Sequence, residues 1–187
     1  MKLLFVCTGN TCRSPMAEVI MKSKSTHEVK SAGIMAADGF PASEGTAAVL
    51  RNKGYEQKHF SQQVDNHLVD WADLLLTMTK GHRDLLKQQF PNASSKIFTL
   101  KEYTNEAYEE TWQQLKEAYA KLEELKLTSN SEAQKEWMLK IYELEEAIQD
   151  TDISDPYGAD ITVYEQTYDE LEKYLDKLVK KLDNSNR

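Results

Sequence analysis

The sequence predicts an α/β fold, a three-layer sandwich with a central four-stranded parallel sheet. Short apolar runs typical of buried strands alternate along the chain with segments of helical periodicity. Such alternation indicates right-handed crossovers and a parallel sheet that helices cover on both faces. In addition, a polar loop at 7–14 joins the first predicted strand to the first predicted helix. Open α/β sheets place their ligand-binding and catalytic residues at such carboxyl ends of strands, so this loop is predicted to contain the functional site.

The first strand covers residues 3–6, where four apolar residues follow one another, and the first helix begins at Pro15. Proline suits the first position of a helix, and Met16, Val19 and Ile20 follow at helical spacing. The loop between these elements points successive backbone N–H groups into one small space at the positive end of the helix dipole. We therefore predict an anion-binding site there. Its residues are Thr8, Gly9, Asn10, Thr11, Cys12 and Arg13.

Side chains of the same loop have the types that covalent phosphoryl transfer requires. Cys7 ends the strand, where fixed positive potential favours a thiolate. The planar fork of Arg13 can hold two oxygens of a tetrahedral oxyanion. Ser14 can donate its hydroxyl to the sulfur and make it a better leaving group, while Gly9 and Asn10 tolerate the positive φ of a tightly curled loop. The loop therefore predicts a phosphocysteine intermediate.

The remaining elements follow the same alternation. Gly54 ends one predicted helix at a position typical of helix termini, and Pro91 ends another. The predicted strands after the first are 28–33, 72–78 and 95–100. The predicted helices are 15–25, 42–53, a short one that ends at 70, 79–90 and 161–182, with a frayed tail at 183–187.

An acidic insertion at about 105–149 predicts a helical hairpin. In each half, apolar residues recur at alternating spacings of three and four, which is typical of antiparallel helices with an apolar seam. Turn and cap residues at 128–131 separate the halves. Two roles remain open, a surface ornament that buries its own seam and a lid or docking arm for a partner. The predicted seam residues are Tyr108, Trp112, Leu115, Tyr119, Leu122, Trp137, Ile141, Leu144 and Ile148.

Length and composition narrow the functional classes. A chain of 187 residues suits one domain, 1–187, that includes the inserted hairpin. The formal net charge of -8 gives nucleic-acid binding no electrostatic support. The N-terminal apolar run is too short for a signal peptide, and no stretch approaches the ~20 apolar residues of a membrane span. We therefore expect a cytoplasmic protein without a nucleic-acid or membrane partner.

The chain has only two cysteines, Cys7 and Cys12, and both lie in the same loop. This arrangement predicts no structural disulfide framework, and a single pair of this spacing is poor material for a zinc site. Neither a metal nor a cofactor is predicted. Two interpretations of Cys12 remain open: it traps an oxidised Cys7 as a reversible disulfide, or it packs beneath the loop.

The segment Val6–Glu18, VCTGNTCRSPMAE, resembles the phosphate-binding loop of the low-molecular-weight protein-tyrosine-phosphatase family. Thr11 resembles the branch of that family that acts on phosphoarginine, since tyrosine-directed members carry a larger aliphatic residue there. The resemblance implies that Ser31 hydrogen-bonds Asn10 and that His59 belongs to the same supporting network. The other histidines, His27, His67 and His82, show no ligand spacing and are predicted to be ordinary.

The segment 152–158, DISDPYG, resembles the general-acid loop of the same family. Asp155, before Pro156 and Tyr157, would protonate the leaving atom and later take a proton from the hydrolytic water. Tyr157 would form one wall of the substrate slot. Asp152 is the competing carboxylate, without the proline-aromatic context.

Phosphorylated protein is the expected substrate, and phosphoarginine the expected residue. A phosphoguanidinium is planar and rich in donors, so a hydroxyl at Thr11 and a carboxylate at Asp155 suit it, with Tyr157 beside them. A low-molecular-weight tyrosine phosphatase is the alternative. An arsenate reductase would need further cysteines after Cys12, and the chain has none. A phosphate-binding docking module would need neither a nucleophile nor an acid.

Overall fold

A four-stranded parallel sheet lies at the centre of the larger of two compact units. The computed structural model describes residues 1–56, 58–127 and 131–185. The larger unit comprises residues 1–104 and the chain from 152 onward, and the smaller comprises residues 105–151. A single phosphatase domain that includes the insertion stays a prediction.

The sheet has the strand order β2-β1-β3-β4, and all three pairings are parallel. Cys7 at the end of β1 lies opposite Gly33 at the end of β2, so the loop after β1 emerges at the carboxyl edge of the sheet. The predicted fold class is therefore confirmed. The strands are β1 (Lys2–Cys7), β2 (Glu28–Gly33), β3 (Leu74–Thr77) and β4 (Ile97–Thr99).

Helices cover both faces of this sheet. Because side chains alternate along a strand, Leu3 and Phe5 of β1 pack in one core, and Leu4 and Val6 pack in the other. These two cores make the three layers. The helices of the larger unit are α1 (Arg13–Lys24), α2 (Glu44–Asn52), α3 (Asn66–Trp71), α4 (Lys80–Gln89), α5 (Leu100–Thr104) and, numbered after two helices of the smaller unit, α8 (Ile161–Ser185).

The last strand is shorter than predicted. Its predicted first residues belong to a 3₁₀ helix, Pro91–Lys96, and Leu100 begins α5. The cause is a capping box: Thr99 Oγ1 accepts a hydrogen bond from the backbone N of Glu102 at 3.0 Å, and Glu102 Oε2 accepts one from Thr99 N at 3.2 Å. At the chain end, α8 runs into the predicted tail, whose residues 186–187 lie outside the described residues.

The smaller unit consists of α6 (Tyr108–Lys126) and α7 (Ser131–Gln149), as the periodicity predicts. Leu115, Ala118 and Ile141 are buried between the two helices, and the two tryptophans of the predicted seam flank them half-buried. The prediction that Tyr119 lies in the seam is wrong, since its side chain is exposed and its hydroxyl donates to Glu145. Residues 128–130 of the predicted turn at 128–131 lie outside the described residues, and Ser131 begins α7. No helix in the described ranges is long and apolar enough to cross a bilayer.

Candidate active site

The loop between β1 and α1 forms the floor of a cleft of ≈ 620 Å³. Cys7 is 3% exposed there, and its Sγ lies 3.0 Å from Ser14 Oγ in the first turn of α1. The amino end of α1 begins at Arg13, directly after the loop, so the positive end of its dipole faces the same region. The predicted anion-binding residues that line the cleft with Cys7 are Thr8, Gly9, Thr11, Cys12 and Arg13.

Asn10 is buried beneath the loop instead, and its hydrogen bonds hold the loop in shape. Its φ is 56°, in the left-handed region that asparagine tolerates. Its Nδ2 donates to Ser14 Oγ at 2.9 Å and to Ser31 Oγ at 2.8 Å, while its Oδ1 accepts from the backbone N of Gln62. His59 Nε2 donates to the Asn10 carbonyl oxygen at 2.7 Å. The structure thus brings Ser14, Ser31 and His59 together around one residue.

Gly33 supports the loop from the adjacent strand. A Cβ atom at Gly33 would lie 2.5 Å from the Thr8 carbonyl oxygen and 2.9 Å from Asn10 N, both backbone atoms. The loop can therefore lie against the end of β2 only because residue 33 has no side chain.

Arg13 extends its guanidinium toward the second motif. The side chain is buried, and its Nη2 donates to Asp155 Oδ2 at 2.7 Å while Nη1 donates to the Ile153 carbonyl oxygen at 3.3 Å. Its Nε is also buried and has no hydrogen-bond partner among the described residues. A buried donor in a cleft with a cationic group suits an oxyanion ligand.

The loop 152–158, which we call the acid loop, brings Asp155 to the cleft and turns Asp152 away. Asp155 lines the cleft, and its side chain is 52% exposed. Asp152 Oδ1 instead accepts a hydrogen bond from the backbone N of Lys80 at 2.7 Å, at the start of α4. Of the two candidate acids, Asp155 and not Asp152 therefore lines the same cleft as Cys7.

The rim of the cleft carries two exposed aromatic side chains. Phe40 is 58% exposed and the predicted Tyr157 is 77% exposed, and both line the cleft. Phe40 has no periodicity or motif that could identify it from the sequence. Thr11 also lines the cleft, and its carbonyl oxygen accepts from Ser43 N at 2.9 Å.

The Cys12 thiol has different side-chain partners from the Cys7 thiol. Its Sγ lies 3.3 Å from Ser43 Oγ and 3.9 Å from Tyr164 OH. Burial raises the pKa of the Tyr164 phenol, so its hydroxyl stays protonated. Both cysteines are free thiols. These contacts are those expected of a Cys12 that packs beneath the loop. A reversible disulfide between Cys12 and Cys7 stays a prediction.

His82 is a site residue that the sequence analysis missed. Its Nε2 lies 2.9 Å from Thr8 Oγ1, so a residue of α4 contacts the loop. Burial lowers the pKa of His82 to about 4, and the charge of Arg13 adds to the effect. The ring is therefore neutral near pH 7. The prediction that His82 is an ordinary histidine is wrong, because it contacts the loop. A lone histidine in a helix has no spacing signal that could reveal such a contact.

In the described part of the chain, no group of three or more His, Cys, Asp or Glu side chains could hold a metal ion. The cleft is lined by the Cys7 thiol, the Arg13 guanidinium and the Asp155 carboxylate. Together with backbone N–H donors, these groups can bind an oxyanion, attack its central atom and transfer a proton.

Comparison with known proteins agrees with this arrangement. The family model described as "Low molecular weight phosphotyrosine protein phosphatase" matches residues 2–125 and 115–187. A protein-arginine-phosphatase of Geobacillus stearothermophilus is 37% identical over 183 residues, which are 97% of this chain and 95% of that protein. The low-molecular-weight protein-tyrosine-phosphatase PtpB of Staphylococcus epidermidis is 31% identical over 180 residues, 95% of this chain and 96% of that one.

Solved structures of the same kind superpose well. The YwlE arginine phosphatase from Geobacillus stearothermophilus matches with a TM-score of 0.73 and 37% identity, over 98% of this chain and 94% of that one. A cysteine-to-serine mutant of YwlE arginine phosphatase, with a phosphorylated active-site serine, also has a TM-score of 0.73, with 31% identity over 98% and 96% of the two chains. With the cleft described above, these matches show that the chain belongs to the low-molecular-weight phosphotyrosine protein phosphatase family.

Proposed function

We propose that this chain is a cysteine-dependent protein phosphatase that hydrolyses phosphoarginine in proteins. The observation that carries the proposal is the convergence of Cys7, Arg13 and Asp155 on one cleft, with the guanidinium 2.7 Å from the carboxylate. A module that only binds phosphate would need neither the thiol nor the carboxylate. An arsenate reductase of this fold would need cysteines after Cys12, which the sequence lacks.

In the first step, the Cys7 thiolate attacks phosphorus and the bond between phosphorus and the leaving nitrogen breaks. Asp155 gives its proton to that nitrogen, so the arginine side chain departs as a guanidinium and a phosphocysteine remains. Arg13 and the backbone N–H groups of the loop hold the phosphoryl oxygens throughout.

In the second step, water attacks the phosphocysteine and Asp155 accepts its proton. The sulfur leaves as a thiolate, and the hydroxyl of Ser14, 3.0 Å from Sγ, can stabilise that charge by donating to it. Inorganic phosphate is the product. The chemistry uses no metal, so turnover should survive a chelator and disappear when the thiol is alkylated.

Two observations support phosphoarginine as the substrate. Relatives named protein-arginine-phosphatase match nearly the whole chain at 37% and 32% identity. In addition, Thr11 gives the cleft floor a hydroxyl and little bulk, and Asp155 offers the guanidinium an acceptor. The exposed faces of Phe40 and Tyr157 can lie against the planar cation.

The phosphotyrosine alternative is favoured by the same aromatic rim and by the PtpB relative. Parallel turnover measurements on phosphoarginine and phosphotyrosine peptides of identical flanking sequence distinguish the two. Thr11→Val removes the hydroxyl at nearly constant volume, and Thr11→Ile adds bulk. We expect both variants to lose phosphoarginine turnover and Thr11→Ile to shift preference toward phosphotyrosine. Faster phosphotyrosine than phosphoarginine turnover by the unsubstituted chain would contradict the proposal.

For the hairpin we propose the docking-arm role. Met138, Leu139 and Tyr142 are each more than half exposed on α7, and residues 105–151 contain twelve acidic and five basic residues. An apolar face with an acidic surround suits a basic substrate protein. Replacing these three residues by Gln should raise KM for a phosphorylated basic protein and leave KM for a small aryl phosphate unchanged. A matched variant with Gln at exposed Glu136, Lys140 and Glu143 is the control, and equal KM values in both would refute the role.

The proposed compartment is the cytoplasm, because its reducing thiol pool keeps Cys7 free to act as a nucleophile. Fractionation of cells that express the chain at its natural level tests this. Recovery of the protein with secreted or membrane fractions would contradict it.

A further inference from the structure

Ser154, the residue before Asp155, is held by a carboxylate on the last helix. Glu170 Oε2, on α8, accepts from the backbone N of Ser154 at 3.0 Å and from Ser154 Oγ at 2.8 Å. Ser154 Oγ also lies 3.1 Å from the buried Thr167 Oγ1. One carboxylate oxygen thus fixes both the backbone and the side chain of Ser154.

The second oxygen of Glu170 is paired with a buried cation. Lys101 Nζ lies 2.7 Å from Glu170 Oε1, and the Lys101 side chain is 5% exposed. Burial by itself raises the pKa of Glu170, but hydrogen bonds from Lys101 and Ser154 outweigh it and lower the pKa. Glu170 is therefore ionised at neutral pH. Neither Glu170 nor Lys101 is among the described residues that line the cleft.

The other side of the same backbone is fixed to the sheet. Ile153 N donates to the Met78 carbonyl oxygen at 2.7 Å, just beyond β3, and the Ile153 side chain is buried. Asp155 itself is half exposed, and its carboxylate accepts from Tyr157 N at 3.2 Å through Oδ1 and from Arg13 Nη2 at 2.7 Å through Oδ2. When Arg13 turns its donors to a phosphoryl group, that contact weakens. The contacts that remain are the bond from Tyr157 N and the fixed backbone at Ile153 and Ser154.

We propose that the Lys101–Glu170 ion pair positions the general acid by clamping Ser154. Glu170 is a positioning residue, because it acts on Asp155 through the backbone and touches neither the substrate nor the sulfur. The inference rests on the proposed function, since it assumes that Asp155 protonates the leaving group. Loss of the clamp lets the carboxylate sample orientations from which proton transfer fails.

The diagnostic quantity is the dependence of kcat/KM on the leaving group. This ratio reports phosphocysteine formation, the step in which the leaving group departs. A series of aryl phosphates whose phenols range from strongly to weakly acidic probes that step. Glu170→Ala should lower kcat/KM about tenfold for the least acidic phenol and less than about twofold for the most acidic one, because an activated leaving group needs little protonation. The slope of log kcat/KM against phenol pKa becomes more negative.

Ser154→Ala is the second variant, because it removes the hydroxyl contacts with Glu170 and Thr167 and leaves both the backbone bond to Glu170 and the ion pair with Lys101 intact. It should change the slope in the same direction by a smaller amount, even if Glu170→Ala does not fold. Glu165→Ala replaces an exposed glutamate of the same helix and should leave the slope unchanged. A wild-type slope in folded Ser154→Ala and Glu170→Ala would overturn the clamp, as would an equal loss on every member of the series. If the unsubstituted protein hydrolyses none of the series and no phosphoarginine peptide, the proposed function fails instead.

Discussion

Arg13 Nη2 lies 2.7 Å from Asp155 Oδ2, so the cation expected to hold the phosphoryl group is paired with the carboxylate expected to act as the acid. The arginine is buried and the aspartate is half exposed. A phosphate dianion that enters the cleft must therefore compete with Asp155 for Arg13 and also approaches a negative charge. Asp155 should consequently oppose ground-state binding while it promotes turnover.

Replacing Asp155 by Asn should separate these two effects. We expect inorganic phosphate to bind about fivefold tighter, because the competing charge is gone, which corresponds to about 1 kcal/mol at this separation. Turnover of substrates with poor leaving groups should fall about 10²-fold or more without the acid. Calorimetric titration with phosphate and steady-state kinetics measure the two quantities. Weaker phosphate binding in Asp155→Asn would show that the ion pair does not compete with the ligand.

Replacing Cys7 by Ala should abolish turnover and preserve phosphate binding. The nucleophile is lost, whereas Arg13 and the backbone N–H groups of the loop remain. Phosphate titration and a phosphoarginine peptide assay on the same preparation test both halves. Cys12→Ala is the matched control, because Cys12 contacts Ser43 rather than Ser14, and it should keep most of the activity in reducing buffer. Residual activity in Cys7→Ala would exclude a phosphocysteine mechanism.

The buried His82 should make folding stability depend on pH. The folded-state pKa is about 4, lowered from 6.5 chiefly by burial, so the unfolded chain binds a proton first as the pH falls. The stability that neutral His82 contributes is therefore present above pH 6.5 and is lost progressively toward pH 4. Urea unfolding at pH 7 and pH 4.5 should show a smaller pH effect in His82→Asn than in the unsubstituted protein. His67→Asn, at an exposed histidine, is the control. An equal pH effect in all three proteins would refute the burial argument.

Adding one methyl group at Gly33 should disrupt the phosphate loop. The Cβ of Gly33→Ala would lie 2.5 Å from the Thr8 carbonyl oxygen, so the loop must move. We expect a loss of at least about 2 kcal/mol in the free energy of unfolding and a large fall in kcat. Gly81→Ala, which meets nothing closer than 3.7 Å, should keep both values near those of the unsubstituted protein. Unfolding and kinetic measurements on the two variants provide the check, and a fully active Gly33→Ala would contradict it.

Sequence patterns predicted the parts of the structure that depend on local periodicity. The apolar run at 3–6 and the alternating spacings of the hairpin correspond to β1, α6 and α7. The resemblance to a known family supplied more, including the contact of Ser31 with Asn10 and the proximity of His59. These contacts join residues far apart in the chain, and no period of 2 or 3.6 encodes them.

The errors have specific physical causes. The capping box of Thr99 and Glu102 begins α5 where β-propensity alone continues the strand. In the hairpin seam, Ala118 is buried where Tyr119 was predicted, because a small side chain lets the two helices approach. The Tyr119 phenol instead lies in solvent and donates to Glu145. Phe40 lines the cleft and His82 contacts Thr8 of the loop through tertiary folding alone, so no local pattern could distinguish them from surface residues.

The bond from Ile153 N to the Met78 carbonyl oxygen separates the position of the acid loop from the length of the insertion before it. It gives the returning chain a fixed re-entry point at the sheet, one residue after Asp152 and two before Asp155. The position of the Asp155 carboxylate relative to the sheet therefore does not depend on the length of the chain before Ile153. A change in the length of the segment between α5 and the acid loop should therefore leave the position of Asp155 at the cleft unchanged.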